Sequence, residues 1–245
     1  MLATLKYQLW RRLRSAYYAF DLSRMPLGDA LGRAVSEWET AHGFGDSPKA
    51  KSVWDAEYRG ERWAYMGQAS ERARYWTLIG YMDAFRRGGE YLDVGCGDGV
   101  LFELFKPLDY QRYVGIDISD VAIEKLFHYN NDRTNFFRAD ADVHEPADRF
   151  DVIVFNESLY YLRDPVRSLH RYARSLKPGG CIIVSTYTAS RRSLALLREA
   201  KRAFKVVDET RTVQRRPTGA RVLPGWQRSQ DPSWLCTVLK QSDAA

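Results

Sequence analysis

Cysteine and histidine are scarce in this sequence. Three cysteines and four histidines occur among 245 residues, and the cysteines, Cys96, Cys181 and Cys236, lie far apart. An odd number of widely spaced cysteines favours neither a disulfide framework nor a metal-ligand cluster. The sequence therefore excludes the small disulfide-stabilised domains of secreted proteins, predicts no metal site, and favours a reduced, cytoplasmic protein.

Long apolar runs are also missing. No stretch approaches the roughly 20 apolar residues that a transmembrane helix needs. Lys6, Arg11 and Arg14 interrupt residues 1–20, so this segment lacks the continuous core of a signal peptide. Apolar residues recur there at helical spacing, and such a helix packs on its own domain or on a partner protomer, or contacts an anionic membrane peripherally. The apolar stripe consists of Leu2, Leu5, Leu9, Leu13 and Tyr17.

Tryptophan is absent from residues 77–225, although five of the seven tryptophans precede residue 77. This uneven distribution predicts two parts: a helical, aromatic-rich N-terminal cap over residues 1–85, and an α/β domain over residues 86–245. A chain of 245 residues is long enough to bury one α/β core together with such an accessory segment.

The net charge is +6, and basic residues cluster towards the C-terminal end. Residues 191–228 contain eleven Lys or Arg against three acidic residues, a local excess of +8. Such an excess fits a phosphate-bearing substrate, a nucleic acid or an acidic carrier protein. A solvated basic face without a partner is the alternative.

The most informative motif is a glycine-rich turn between two apolar runs. The first run, residues 90–94, has the length and composition of a buried strand. Glycine removes the Cβ atom where a backbone must turn tightly and approach a ligand. The second run, residues 113–117, ends in Asp117, and a carboxylate about 20 residues beyond such a turn is placed to accept hydrogen bonds from ribose hydroxyls. The glycines of the turn are Gly95, Gly97 and Gly99, and residues 100–105 predict a helix after it.

The spacing of these glycines separates two kinds of cofactor. A dinucleotide site has the pattern G-x-G-x-x-G, whereas this turn reads G-x-G-x-G, with Asp93 before it and Asp98 inside it. Two carboxylates repel a pyrophosphate and attract a cationic sulfonium. Residues 93–99 resemble the D-x-G-C-G-x-G motif of the class I S-adenosylmethionine-dependent methyltransferases. With the motifs that follow, the resemblance extends over roughly residues 54–240.

This resemblance implies an α/β fold of the Rossmann-like type, with a seven-stranded, mostly parallel sheet whose last strand is antiparallel. The cofactor that it implies is S-adenosyl-L-methionine (SAM), with S-adenosyl-L-homocysteine (SAH) as the product. A helix over residues 165–176 is expected to close at a Pro-Gly turn, residues 177–180. The later strands are predicted at residues 135–140, 150–155, 181–185, 203–212 and 233–239.

The resemblance also implies which residues contact the cofactor. Asp117 and the following Ile118 lie at the ribose position. Asp140 with Ala141 matches the position where a carboxylate accepts a hydrogen bond from the adenine amino group, and Asp142 is the rival for that role. The contacts expected from the turn itself are Asp93, Gly95, Cys96 and Gly97.

The segment before the first strand, residues 53–85, is predicted to be helical and is crowded with aromatic residues. In methyltransferases of this type, the helices before the first strand fold over the cofactor. Tyr58, Trp63, Tyr65 and Arg74 are therefore candidates to line the cleft. Arg74 is expected to pair with the methionine carboxylate of SAM, because a planar guanidinium binds carboxylates through two hydrogen bonds. The alternative is that most of these rings belong to the core.

The exit of the fourth predicted strand carries the candidate catalytic residues. By resemblance, this exit lies between cofactor and substrate, and it begins with Asn156, which is expected to contact the cofactor. Glu157 is the candidate to accept a proton, or to hold an ammonium or a pair of sugar hydroxyls. Tyr160 and Tyr161 are candidates to orient the acceptor. For Glu157 the alternative is a helix cap, since an acidic residue near a helix N-terminus is favoured by the dipole.

Two further observations bear on the acceptor. Of the histidines, only His42 in the cap remains open as a base, because the sequence places the other three at surface, packing or adenine-side positions. Residues 157–164 resemble the E-x-L-Y-Y-L-x-D stretch of the nodulation-factor N-methyltransferases, which act on a glucosamine amine. This likeness favours a saccharide acceptor and leaves O- and N-methylation open.

The sequence thus predicts methyl transfer from SAM to an oxygen or nitrogen of a saccharide or other small polar acceptor. An RNA or other nucleic-acid methyltransferase is one alternative, suggested by the basic composition. Against it, the strand exit lacks the Asn/Asp-Pro-Pro-aromatic motif of enzymes that methylate exocyclic base amines, and no RNA-binding motif is present. A non-catalytic SAM-binding subunit of a complex is the other alternative.

Overall fold

A single mixed sheet organises the chain. The computed structural model describes residues 47–215 and 231–241 continuously, together with scattered positions between residues 9 and 38. The strands within these residues are β1 (Glu90–Val94), β2 (Arg112–Asp117), β3 (Thr134–Arg138), β4 (Phe150–Asn156), β5 (Leu176–Tyr187), β6 (Lys205–Val213) and β7 (Ser233–Lys240). They lie in the order β3–β2–β1–β4–β5–β7–β6. β7 is antiparallel to both of its neighbours and the other strands run parallel to one another, which confirms the predicted fold class.

Helices cover both faces of this sheet. The α-helices of the continuously described part are α1 (Lys51–Arg59), α2 (Arg72–Arg86), α3 (Val100–Phe105), α4 (Asp120–Glu124), α5 (Pro165–Ala173) and α6 (Arg191–Ala203). Side chains of α2 and α3 pack in one core layer, and side chains of α5 and α6 pack in the other. Val152 and Val154 of β4 face the first layer, whereas Ile153 and Phe155 face the second. A strand buried on both faces needs apolar residues at every position, as β4 has.

The Pro-Gly segment before the fifth predicted strand is not a turn that closes a helix. α5 already ends at Ala173, and β5 begins at Leu176. Phe150 of β4 pairs with Leu176, whereas Val152 pairs with Cys181, so β5 contains three residues more than β4 over this stretch. The extra residues form a bulge in which Gly179 adopts a φ of +78°, a conformation that glycine reaches without strain. The prediction of a turn at residues 177–180 was wrong because a bulge and a turn share the same Pro-Gly signal.

The helical segment before β1 is interrupted. Between α1 and α2 the chain forms two short 3₁₀ turns, Ala64–Gly67 and Ala69–Glu71. α2 packs Tyr75, Leu78 and Met82 into the same core layer as the sheet. The boundary of the cap at residue 85 stays a prediction. Leu9, Leu13 and Tyr17 of the apolar stripe are helical, whereas Leu2 and Leu5, and residues 216–228 of the basic stretch, lie outside the described residues. No helix in the described part of the chain is long and apolar enough to cross a membrane.

Gly115 in β2 fixes how closely the sheet and the glycine-rich turn pack. A Cβ atom on Gly115 would lie 2.4 Å from two ring carbons of Phe136 and 3.1 Å from Sγ of Cys96. We therefore expect Gly115→Ala to lower the free energy of unfolding by about 1–3 kcal/mol, the usual effect of overpacking a core. Urea denaturation measures this change. Gly80→Ala is the matched control, because nothing lies within 4 Å of a Cβ there; equal stability of the two variants would contradict the prediction.

Candidate active site

The glycine-rich turn between β1 and α3 forms a cradle that only glycine allows. Gly95, Gly97 and Gly99 have φ values of +77°, +57° and +83°, the left-handed region that L side chains avoid. A Cβ atom on Gly95 would lie 2.5 Å from Cβ of Ser158, and one on Gly97 would lie 2.8 Å from Oη of Tyr58. The backbone of the turn is therefore open for the close approach of a ligand.

Asp117, at the end of β2, is held by the backbone around it. Its Oδ2 accepts a hydrogen bond from the N–H of Gly97 at 3.0 Å, and its Oδ1 accepts one from the N–H of Ser119 at 2.9 Å. Each carboxylate oxygen can accept more than one hydrogen bond, so both retain capacity for ligand hydroxyls. Burial raises the pKa of Asp117 to about 6, although the two backbone N–H groups oppose the rise.

A cavity opens at the carboxyl ends of β1, β2 and β4, where open α/β sheets bind their ligands. We call it the first cavity. Ten of the thirteen predicted site residues line it: Tyr58, Gly95, Cys96, Gly97, Asp117, Ile118, Asp140, Ala141, Asn156 and Glu157. Asp142, the rival of Asp140, lines it as well, and its backbone N–H donates to Oδ1 of Asp140 at 2.9 Å. The choice between these two carboxylates for the adenine amino group stays open.

Three of the predicted site residues, Asp93, Arg74 and Tyr160, do not line the first cavity. Asp93 is buried below the turn, where one oxygen accepts a hydrogen bond from the hydroxyl of Tyr113 at 2.8 Å; its Oδ1 has no hydrogen-bond partner among the described residues. Burial raises the pKa of Asp93 to about 7. Arg74 and Tyr160 line a neighbouring cavity described below.

Helix α1 covers the first cavity. Its Asp55 accepts a hydrogen bond from Oγ of Ser119 at 2.7 Å, two residues beyond Asp117. The ring of Trp54 meets Tyr161 edge-on, with 4.8 Å between the ring centroids. Just before α1, the ammonium of Lys49 lies 4.5 Å from the centroid of the Trp54 ring. The helix therefore bridges the β2 end and the β4 end of the cavity. Sequence reasoning missed Lys49 and Trp54, which line the first cavity; the aromatic crowding in the cap was the available signal.

Glu157 follows β4 with a left-handed backbone, φ +58°, which turns its side chain towards β5. Its Oε1 accepts a hydrogen bond from Oγ of Ser185 at 2.7 Å, and its Oε2 accepts from the hydroxyl of Tyr160 at 2.9 Å and from the N–H of Tyr187 at 3.1 Å. The 3₁₀ turn Leu159–Tyr161 that follows has no side-chain cap, so the helix-cap alternative for Glu157 was wrong. Burial raises the pKa of Glu157, and neighbouring charge and hydrogen bonds oppose the rise.

A second cavity of about 560 Å³ adjoins the first. Its wall is aromatic and contains, besides its tyrosines, three acidic or basic side chains, Glu71, Arg74 and Glu157. Four residues line both cavities, and Glu157 is one of them. Glu157 therefore stands at the junction of the two spaces. The aromatic residues of the wall are Trp63, Tyr65, Tyr160, Tyr161, Tyr187 and Trp234.

Arg74 is bound within the protein. Its Nε donates to Glu71 at 2.8 Å, its Nη1 to Oδ1 of Asn156 at 3.1 Å, and its Nη2 to the hydroxyl of Tyr75 at 3.1 Å. Asn156 and Tyr75 line the first cavity, whereas Arg74 itself lines the second. Its predicted pairing with the methionine carboxylate stays a prediction.

Histidine lines neither cavity among the described residues. His128, His144 and His170 each lie against an aromatic ring, those of Tyr129, Phe137 and Phe204, and His42 lies outside the described residues. In the part of the chain that the structure describes, no group of three or more His, Cys, Asp or Glu side chains could hold a metal ion. All three cysteines are free and buried.

The chain is similar to known methyltransferases over most of this fold. A family model described as a methyltransferase domain matches residues 56–211. The ubiquinone biosynthesis O-methyltransferase of Bradyrhizobium sp. (strain ORS 278) is 36% identical over 112 residues, which cover 44% of this chain and 44% of that protein. The corresponding protein of Alkalilimnicola ehrlichii is 30% identical over 161 residues, 64% of this chain and 60% of that protein. The matched part thus spans about half the length of these relatives.

A solved structure shares the fold. The N-methyltransferase NodS from Bradyrhizobium japonicum, in complex with S-adenosyl-L-homocysteine, superimposes with a TM-score of 0.64 at 19% identity, and the match covers 79% of this chain and 98% of that chain.

The first cavity fits SAM chemically. Its glycine cradle admits a close ligand, Asp117 offers acceptors to ribose hydroxyls, and carboxylates outnumber cations in its lining, which favours a sulfonium. The family model covers more than half of the 245 residues. The chain therefore belongs to the class I S-adenosylmethionine-dependent methyltransferases, and SAM is its cofactor.

Proposed function

We propose that the protein transfers a methyl group from SAM to a hydroxyl or amine of a small polar acceptor, a saccharide or another ring-bearing molecule, bound in the second cavity. The position of Glu157 supports this proposal most strongly, because one buried carboxylate faces both cavities. The relatives are named as O-methyltransferases of ubiquinone biosynthesis and NodS as an N-methyltransferase, so both kinds of acceptor atom have support. The aromatic wall suits the flat faces of a sugar or an aromatic ring.

When bound, SAM supplies an electrophilic methyl group on a sulfonium. The chain's own contribution is to hold the acceptor in line with that methyl and to remove its proton. Tyr160 donates its hydroxyl hydrogen to Oε2 of Glu157, so the lone pairs of Oη can accept a hydrogen bond from an acceptor hydroxyl. As the acceptor oxygen loses its proton to Tyr160, the Tyr160 proton passes to Glu157. An ammonium acceptor would give its proton to the same carboxylate and attack as the free amine.

A nucleic-acid acceptor has less support. Part of the basic stretch is engaged within the fold: Lys201 pairs with Glu209, and Arg211 donates to Oγ of Ser233 at 2.9 Å. The charge of Lys201 is partly neutralised by this pair and Arg211 is held against β7, which weakens the case for a phosphate-binding face. The cytoplasmic location and the peripheral membrane contact through residues 1–20 stay predictions.

The direct test is a transfer assay with methyl-labelled SAM and a panel of acceptors: an amino sugar, the matching neutral sugar, a phenol and a structured RNA. We expect label on at least one small acceptor, and none with an Asp117→Ala variant. Transfer to RNA alone would support the nucleic-acid alternative. SAH binding without transfer to any acceptor of the panel would favour the non-catalytic subunit.

A further inference from the structure

A buried ion pair lies in the wall of the second cavity. Nε of Arg74 and Oε2 of Glu71 are 2.8 Å apart, and the two residues are 4% and 8% exposed. Removing two charges from water is costly, and such pairs often contribute little to stability. A role in the site would account for the presence of this pair better than a role in stability.

The guanidinium of Arg74 reaches from the second cavity to the first. Its hydrogen bonds to Asn156 and Tyr75, each 3.1 Å long, end on residues that line the first cavity. Asn156 precedes Glu157 in the chain, so these contacts fix Arg74 beside the strand exit that carries the carboxylate. The ring of Tyr75, 4.2 Å from Cζ of Arg74, and the ring of Trp234, at 5.7 Å, hold the guanidinium between them.

The groups that face Glu157 come from several elements. Its direct hydrogen-bond donors are neutral: a serine hydroxyl, a tyrosine hydroxyl and a backbone N–H. Arg74 contributes a positive charge that favours the ionised form of Glu157, and Glu71, paired with Arg74 in the wall of the same cavity, carries a negative charge. The titratable and charged groups around Glu157 are Tyr65, Glu71, Arg74, Tyr160, Tyr161, Tyr187 and Cys236.

We propose that Arg74 is a positioning residue that keeps Glu157 in its carboxylate form at the junction of the two cavities, and that Glu71 moderates this effect. The inference rests on the proposed function of the same site. Burial alone favours the protonated, neutral form of a carboxyl group, whereas a fixed guanidinium favours the charged form. Glu71 cancels part of the guanidinium charge, so Arg74 favours the carboxylate form of Glu157 without abolishing its capacity to accept a proton.

The test is a ¹³C NMR titration of the Glu157 side-chain carboxyl, assigned by its absence in Glu157→Gln. Removing the positive charge in Arg74→Gln should raise the titration midpoint by roughly one pH unit, the scale expected for an opposite charge several ångströms away. Removing the negative charge in Glu71→Gln should lower it. Arg74→Lys keeps the charge and should stay near the wild-type midpoint. Arg87→Gln is the control, because Arg87 follows the last residue of α2, is largely exposed and pairs with Asp83; it should not shift the midpoint.

Opposite shifts in the two variants distinguish this role from a general loss of structure, which would move both in the same direction. An unchanged midpoint in Arg74→Gln, or shifts of the same sign in both variants, would overturn the proposal. If Arg74→Gln loses SAH affinity while the midpoint is unchanged, the proposal is also overturned. Arg74 would then be assigned to binding the methionine carboxylate of the cofactor. If no Arg74 variant folds, Glu71→Gln decides: a lowered midpoint supports the proposal and an unchanged one overturns it. The titration needs no acceptor, so it can succeed even where methyl transfer fails.

Discussion

Glu157→Gln is expected to lower kcat by about 10²-fold or more, the usual contribution of a general base, while the dissociation constant for SAH changes less than about threefold. Glutamine fits the same space. Its amide oxygen can accept the hydrogen bonds from Tyr160 and Tyr187, and its NH₂ group can donate to Oγ of Ser185, so the site keeps its shape. What disappears is the capacity to take a proton from the acceptor.

Rates of SAH formation at saturating acceptor give kcat, and calorimetry gives the SAH affinity. Glu145→Gln is the matched control: this glutamate makes a long surface pair with Arg174, 3.4 Å apart, with a largely exposed side chain. Turnover of Glu157→Gln equal to that of the control would remove Glu157 from the catalytic residues. A parallel loss of turnover and SAH affinity would instead give it a role in binding the cofactor.

Asp117→Ala is expected to weaken SAH binding at least about 100-fold. Two effects combine. The ribose hydroxyls lose a charged acceptor, and hydrogen bonds to charged groups contribute about 1.5–3 kcal/mol each. The N–H groups of Gly97 and Ser119 also lose the carboxylate that holds them, so the cradle loses its fixed geometry. Calorimetric titration with SAH measures the change, with NAD as the ligand that should not bind either protein.

Asp148→Asn controls for the loss of an acidic side chain, because Asp148 is exposed and pairs with Arg112 on the surface. Its SAH affinity should match the wild type. An Asp117→Ala variant that binds SAH normally would show that the ribose is held elsewhere, and tight binding of NAD would contradict the cofactor itself.

The pH dependence of SAH binding follows from the same carboxylate. Burial raises the pKa of Asp117 to about 6, and the ionised carboxylate accepts hydrogen bonds from hydroxyls more strongly than the protonated form. SAH affinity should therefore hold above pH 6 and fall as the pH is lowered through 6, by up to about tenfold per pH unit. Calorimetric titrations with SAH between pH 5 and 8, on the wild type and the Asp148→Asn control, measure this dependence. An SAH affinity that does not change with pH would show that Asp117 does not bind the ligand.

Local patterns were sufficient for the part of the site that lies on consecutive residues. The glycine-rich turn and Asp117 lie within one strand-helix-strand unit, β1–α3–β2, and the apolar runs of that unit show where each strand ends. The start of β5 was missed, because the residues Lys177–Gly180 fit a turn and a bulge equally well, and only the pairing with β4 decides between them.

The second cavity could not be predicted from local pattern, because its walls come from distant segments. Trp63 lies before the sheet, Tyr187 ends β5 and Trp234 is the second residue of β7. Tyr187 and Trp234 are direct partners across the β5–β7 pair, so strand register places them together, and periodicity alone does not give that register. The Glu71–Arg74 pair had a readable signal: acidic and basic residues three positions apart meet on one helical face. Sequence reasoning considered Arg74 alone and so assigned it to a ligand.

The wall between the two cavities has a thermodynamic consequence. Four residues line both cavities: Trp63, Met66, Glu157 and Tyr161. A ligand in either cavity therefore contacts side chains that also line the other cavity. If bound cofactor changes the affinity for the acceptor by some factor, bound acceptor must change the affinity for the cofactor by the same factor. A dissociation constant measured for one ligand alone therefore describes binding to the empty protein only. The affinities that apply during methyl transfer are those for forming the ternary complex of protein, cofactor and acceptor.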